Sequence, residues 1–389
     1  MSETLTIKNF GPIKDMSFEF KKINIFIGDQ GTGKSTVAKI IFAIKNCIFR
    51  ELFKLPEIDN LDKQTQQFYG HLDLVGIKTF LKQGSILTYK SPDYYFQFKD
   101  NKVAITKNIS NSELLYFNSN YIIAERNMVH VLADSLYALL EVKAELPKLF
   151  LRFGNKYQTS RKSKSEFNYS DILGIKFTHK NNKDYILLPD GTEINLSDAS
   201  SGIQGCVALL TVADAIMSEV SGISLQYLLG KNLKLLVIEE PELNCFPQTQ
   251  DKLIKHLIEN NRFLTVEPIV LENSGSENPK IDFIHHYQDD LKNQLFITTH
   301  SPYILTSFNN LMYAYEIGQK EPNEVNNIID KKYWVNSDDV SAYMLLPDGN
   351  CEDIFDREEN LIKAEKIDGV SRILNAQFEE LSNIEYAKL

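Results

Sequence analysis

Gly28-Asp29-Gln30-Gly31-Thr32-Gly33-Lys34-Ser35 is the stretch on which the fold of this 389-residue chain turns. It satisfies the pattern G-x-x-x-x-G-K-[ST] at every fixed position. Ile23–Ile27 before it is a short apolar run of the buried-strand type, and Lys34–Phe49 after it carries the apolar periodicity of a helix. Glycines let the backbone curl so that successive N–H groups aim at phosphate oxygens, helped by the helix N-terminus that follows. A glycine turn that matched by accident would not have a strand on one side and a helix on the other. Gly28, Asp29, Gln30, Gly31, Thr32, Gly33, Lys34, Ser35 and Thr36 are therefore the candidate nucleotide-binding set. Lys34 is expected to reach the β- and γ-phosphates of ATP, and the Ser35 hydroxyl to hold Mg²⁺.

A phosphate loop alone allows kinases, GTPases and many other enzymes, and three further segments narrow the choice. Leu235-Leu236-Val237-Ile238-Glu239-Glu240-Pro241 is an apolar strand ending in two carboxylates. Glu239 is expected to hold Mg²⁺ and Glu240 to polarise the attacking water. Phe296-Ile297-Thr298-Thr299-His300-Ser301-Pro302 is a second buried strand, ending on a histidine outside the carboxyl edge of a parallel sheet, where ligands bind. His300 is thus a candidate catalytic residue; the other six histidines read as structural. Ser200-Ser201-Gly202-Ile203-Gln204 precedes a long apolar helix. By itself it is no more than a serine N-cap.

The remainder is that of an ordinary globular protein. Apolar residues make up 43% and charged residues 24%, and no stretch approaches the ~20 apolar residues of a membrane helix. MSETLTIKNF lacks a signal-peptide profile. Cys47, Cys206, Cys245 and Cys351 are far apart in sequence and form no CxxC pair, which fits reduced thiols in a cytoplasmic protein. The net charge of −10 argues against DNA as a simple, constitutive ligand, although a local basic face is allowed. Arg152, Lys156, Arg161, Lys162 and Lys164, with Phe153 and Tyr157 interleaved, read either as a nucleic-acid surface or as a solvated linker after a helix. Hairpin strands are expected at Ser85–Lys90, Tyr94–Lys99 and Val103–Lys107, and again within Asp171–Leu196; a long helix is expected at Val129–Leu151, and Asn273–Lys280 reads as a loop. The expected architecture is α/β, a P-loop head with a mixed sheet, an antiparallel β subdomain and helical insertions. It forms one discontinuous domain over 1–389, with a helical and β segment inserted at 51–110 and a helical arm with a basic tail at 129–170.

In this order, between phosphate loop and acid pair, Ser200–Gln204 resembles the ABC signature LSGGQ: Ser201, Gly202 and Gln204 match, whereas Ser200 and Ile203 depart. Together the motifs resemble the ABC-type ATPase heads of the RecF, SMC and OLD (overcoming lysogenisation defect) group. Ile7–Lys14, Glu239-Glu240-Pro241-Glu242 with Pro247 and Gln250, and Thr299-His300-Ser301-Pro302 are especially OLD-like. Tyr121-Ile122-Ile123-Ala124-Glu125-Arg126 is similar to that group's YxPAER segment, with Ile123 in place of proline, and Cys245-Phe246 stands where the group has Leu-His. The resemblance implies an ATPase with ATP and Mg²⁺ as cofactors that forms a homodimer or higher homo-oligomer, head to tail. In such a dimer Ser201, Gly202 and Gln204 would serve the partner's nucleotide. It further implies a stand-alone ATPase component of a bacterial anti-phage system of the PARIS, Septu or retron-associated type, sensing or scaffolding for a separate protein effector, a nuclease among the candidates. Residues 303–389 are expected to carry no Toprim nuclease, because Asp338-Asp339 and Glu352-Asp353 lack strand context. Nucleic acid is an allowed but not required ligand, and no membrane is involved. A RecF/SMC-like DNA-repair or DNA-clamping ATPase remains the alternative. A transporter subunit is disfavoured by the absence of a membrane segment, a transporter-like LSGGQ and an aspartate-ended acid strand.

Overall fold

The computed structural model describes the chain except residues 1–2, 53–60, 108–115, 134–144, 219–231, 271–280, 288–292, 364–375 and 380–389. The fold is α/β with one mixed sheet and several antiparallel ones. The N-terminal hairpin comprises β1 (Glu3–Phe10) and β2 (Ile13–Phe20), and β3 (Ile23–Gly28) leads into the phosphate loop. Antiparallel strands β4 (Leu81–Lys90), β5 (Tyr94–Lys99) and β6 (Lys102–Lys107) follow, then β7 (Tyr116–Ile122). A small sheet is built from β8 (Phe167–Tyr169), β9 (Ile175–Lys180), β10 (Lys183–Leu187) and β11 (Glu193–Asn195). The acid strand is β12 (Asn232–Glu239), β13 (Phe263–Val270) pairs with β14 (Ile281–Tyr287), and the histidine strand is β15 (Gln294–Thr299). Next come β16 (Val340–Leu345) and β17 (Cys351–Asp353), then a short antiparallel pair, β18 (Phe355–Asp356) and β19 (Leu361–Ile362).

The central sheet has the order β17-β16-β3-β15-β12-β7, parallel from β16 to β7 and antiparallel only at β17. Every residue of β15, and Ile23–Ile27 of β3, is buried. Continuous apolar strands of this kind belong to parallel sheets covered on both faces. Register then decides where the site lies. Glu239 stands opposite Thr298, and Thr299 opposite Ile27, so Gly28, Glu239 and His300 all leave the sheet at one carboxyl edge.

β4–β6 are not an appendage. β4 pairs with β1 along its length, giving a five-stranded antiparallel sheet in the order β2-β1-β4-β5-β6. The turns at Asp100-Asn101 and Asn181-Asn182 have positive φ at both residues, the hairpin geometry for which Asn and Asp are suited.

Three expectations are corrected here. The long helix Val129–Leu151 does not run through: one helix covers Met128–Ala133, and another starts at Lys148 after non-helical residues 145–147. Pro147 caps the second, since proline inside a helix removes a hydrogen bond and clashes with the preceding turn. Arg152 to Ser160 is not a solvated linker but part of that amphipathic helix, Lys148–Ser160, with Phe153 and Tyr157 buried, so those rings offer no face for stacking bases. Strand context does exist at the C-terminal acids: Asp338-Asp339 immediately precede β16, and Glu352-Asp353 lie on β17. These strands extend the central sheet itself. The hairpin β13–β14 was not expected; the Asn273–Lys280 loop it flanks lies outside the described residues. Among the described residues no helix is long and apolar enough to cross a membrane.

Candidate functional site

The phosphate loop leaves β3 through three glycines with positive φ, Gly28 (+153°), Gly31 (+78°) and Gly33 (+103°), and closes into a helix at Lys34. At Gly28 a side chain is excluded twice over: its Cβ would lie 2.4 Å from the Leu345 carbonyl oxygen of β16. The Lys34 ammonium turns back over the loop and donates to the carbonyls of Gly28 (2.7 Å) and Asp29 (2.8 Å). Thr32 Oγ1 also donates to Asp29 O, at 2.8 Å, and Thr36 is buried under the loop. Burial lowers the Lys34 pKa, against the opposing charges of Glu240, Asp29 and Glu242. A mostly buried cation bonded to neutral carbonyls, beside a glycine turn that runs into a helix N-terminus, fits a polyanionic ligand such as a triphosphate.

Glu239, buried at the end of β12, accepts a 2.8 Å hydrogen bond from the Tyr121 hydroxyl on neighbouring β7. Ser35, in the first turn of the helix Lys34–Leu52, and Glu239, the last residue of β12, both lie at the carboxyl edge of the central sheet. Among the described residues no group of three His, Cys, Asp or Glu could bind a metal ion. One hydroxyl and one carboxylate suit Mg²⁺, which keeps several waters and takes phosphate oxygens for the rest. Glu240 then breaks out of the strand with φ +44°, a left-handed conformation that costs a non-glycine residue on the order of 1–3 kcal/mol. The turn is held by its own N–H, which donates to Thr298 O at 2.8 Å. It brings Glu240 Oε1 to 3.3 Å from His300 Nε2, both side chains being part-exposed.

His300 is held from behind. Glu242 Oε1 accepts from the Thr299 hydroxyl and from the His300 N–H, each at 2.7 Å. Ser301 caps the helix Pro302–Gly318 and donates to Gln250 Oε1 at 2.6 Å, while Gln250 Nε2 donates to Cys245 O at 2.9 Å. Glu242, Thr299, His300, Ser301 and Gln250 thus form one hydrogen-bonded network around the edge of β12 and β15.

The signature segment lies on the helix Ser201–Ser218, which packs on the Arg126 segment and on helix Lys148–Ser160. Ser201 is exposed at its N-terminus and Gly202 is half-buried. Ser200 Oγ, not Ser201, accepts the capping hydrogen bond, from Ile203 N at 3.5 Å. A Cβ on Gly202 would lie 2.3 Å from Asn244 O, so close backbone packing within the chain by itself requires glycine there. Gln204 is engaged within its own chain. Its amide is buried and donates to the carbonyls of Ser197 and Ala199, both at 2.9 Å, so it shapes the preceding loop.

Sequence reasoning assigned no role to Tyr121, Glu242 or Arg126. Arg126 is 1% exposed, and its guanidinium donates only to backbone carbonyls. Cys206 and Cys245, far apart in sequence, meet in the fold: their Sγ atoms, both free thiols, lie 2.9 Å from one another.

Residues 139–305 match the family model described as an AAA ATPase domain. The match takes in the signature helix, acid pair and His300, and leaves the phosphate loop outside. It supports an ATPase in general terms. No curated protein matches the chain. Solved structures similar to it include an SMC head domain from Thermotoga maritima (11% identity, 79% of this chain and 91% of that chain covered, TM-score 0.36). A second is an SMC head bound to the C-terminal winged-helix domain of ScpA (8%, 90% and 96%, 0.41). A third is the recombination mediator RecF with an ATP analogue (11%, 91% and 98%, 0.38).

Proposed function

We propose that this chain is a single discontinuous ATPase head, spanning residues 1–389, that binds ATP on Gly28–Thr36 and hydrolyses it between two copies paired head to tail. The observation that carries this reading is the Glu240–His300 pair, 3.3 Å apart, at the sheet edge that also ends in the phosphate loop. Lys34 exchanges its loop carbonyls for β- and γ-phosphate oxygens, and the loop N–H groups hold the remaining charge. When bound, Mg²⁺ on Ser35 and Glu239 neutralises charge on the phosphate oxygens. Glu240 accepts the proton of the attacking water, and His300 orients that carboxylate. Ser201 and the Gly202 N–H, exposed and half-buried at a helix N-terminus, are suited to an anion and take the partner copy's triphosphate.

The wider role we propose is sensing or scaffolding in bacterial anti-phage defence, with a separate effector protein. The DNA-clamping alternative would use the cationic face of helix Lys148–Ser160 and the turn after it; salt-dependent DNA binding lost on changing Lys156 and Lys162 would favour it.

The experiment is Glu240→Gln, which keeps shape and hydrogen bonding but removes the base. ATP should still bind, hydrolysis should fall ~10²–10⁴-fold, and light scattering should show ATP-dependent pairing that disappears when Ser201→Arg is added. Hydrolysis at the wild-type rate would remove Glu240 from the chemistry. Pairing that survives Ser201→Arg would return Ser201 to an ordinary position in a helix.

A further inference from the structure

The Arg126 side chain has five N–H donors, and all five find backbone carbonyls. Nη1 donates to Ile123 O (3.1 Å) and Glu239 O (2.8 Å), and Nη2 to Glu240 O (2.7 Å) and Pro241 O (3.2 Å). Nε donates to Gly205 O at 3.3 Å. Three of these carbonyls belong to consecutive residues, the two acids and the proline that follows them. The fifth lies in the second turn of the signature helix.

Among the described residues no carboxylate pairs directly with this guanidinium; every hydrogen bond of the buried charge goes to a peptide carbonyl, and the Glu242 and Glu240 carboxylates act on it only from a distance. That is a costly arrangement for a cation, and it does one thing that an apolar plug could not. It fixes the peptide planes on both sides of Glu240, the residue that sits at φ +44°. Those planes decide whether the Glu240 carboxylate points at His300. The same side chain ties them to the helix that presents Ser201 and Gly202. Two further contacts run in parallel, Gly202 against the Asn244 carbonyl and Cys206 against Cys245.

We propose that Arg126 is a positioning residue that makes the acid pair and the signature turn of one chain a single mechanical body. The inference rests on the head-to-tail reading above, in which these two parts serve different nucleotides: Glu240 its own, Ser201 and Gly202 the partner's. Closure on one nucleotide is then passed, inside one protomer, to the other site. Arg126 itself touches neither nucleotide.

Arg126→Lys keeps the charge but presents three donors from one point, so it cannot hold five carbonyls in a plane. A role in charge balance alone would be rescued by lysine; a clamp would not. The expected result is an ATP affinity within about twofold of wild type, with kcat lowered on the order of 10²-fold by misplacement of Glu240. Wild-type kcat in a folded Arg126→Lys chain overturns the proposal, and so does loss of ATP binding, which would place Arg126 in the nucleotide site. Should Arg126→Lys fail to fold, hydrogen exchange on the Ser201→Arg chain decides, since its heads do not pair. ATP on the phosphate loop should then slow exchange at residues 203–209 as well as at 240–245. Protection confined to 28–36 overturns the coupling. Lys34→Ala, run alongside, separates the two failures. If it binds ATP as wild type does, the nucleotide reading itself falls; if it does not, a normal Arg126→Lys chain refutes only the clamp.

Discussion

Gly202→Ala separates two reasons for having glycine at the start of the signature helix. The added methyl carbon would meet Asn244 O at 2.3 Å and the Asn244 carbonyl carbon at 3.3 Å, where ordinary contact begins at 3.4 Å. The obstacle is backbone, so relief needs about 1 Å of movement in either the helix turn or the 240–245 segment; overpacking of this kind costs ~1–3 kcal/mol. Alanine recovers ~0.5–1 kcal/mol over glycine inside a helix. Taking the midpoints, the net expectation is a loss of about 1.2 kcal/mol, a roughly eightfold shift in the folded-to-unfolded ratio. Urea unfolding followed by circular dichroism measures it. Asn244 has φ +60°, so adding Asn244→Gly should loosen the carbonyl and recover part of the loss, a coupling read from the double-mutant cycle. A Gly202→Ala chain as stable as wild type, or more so, would refute the packing argument and leave only a ligand-side reason for the glycine.

Lys34→Ala should abolish measurable ATP binding while leaving the circular dichroism spectrum unchanged; near-normal affinity would remove the phosphate-loop assignment. Burial by itself would raise the Asp184 carboxyl. The His130 ring 3.6 Å away, the Arg161 guanidinium, the Tyr157 hydroxyl and His179 outweigh it and hold the group well below the ordinary carboxylate range. A depressed folded-state pKa adds stability above the unfolded value of ~3.9 and loses it as pH falls below that. Asp184→Asn should therefore cost about 3–5 kcal/mol at pH 7, because it strands the buried Arg161 charge, and the gap to wild type should narrow below pH ~4. A gap independent of pH would mean that Asp184 titrates normally.

The parts legible in the sequence are those whose physics is local. Gly28–Ser35 declares its turn because only glycine takes those φ values and because strand and helix patterns abut it. The apolar runs ending in Glu239-Glu240 and in Thr299-His300 declare buried parallel strands. Ser301 before Pro302 marks a helix start through a cap that needs no distant partner. Tertiary structure alone decided the rest. Val340–Leu345 became the neighbour of β3, and its last carbonyl closes over Gly28. Pro147 opens a new helix at Lys148 where periodicity ran straight through, and Phe153 and Tyr157 turned inward from a basic run. Gln204, which matches a signature glutamine by spacing, spends its amide on the chain's own loop. Arg126 gives the plainest physical reason. Four of its five acceptors lie 79 to 115 residues away, and they are backbone carbonyls, which every residue carries and which therefore leave no mark in a sequence.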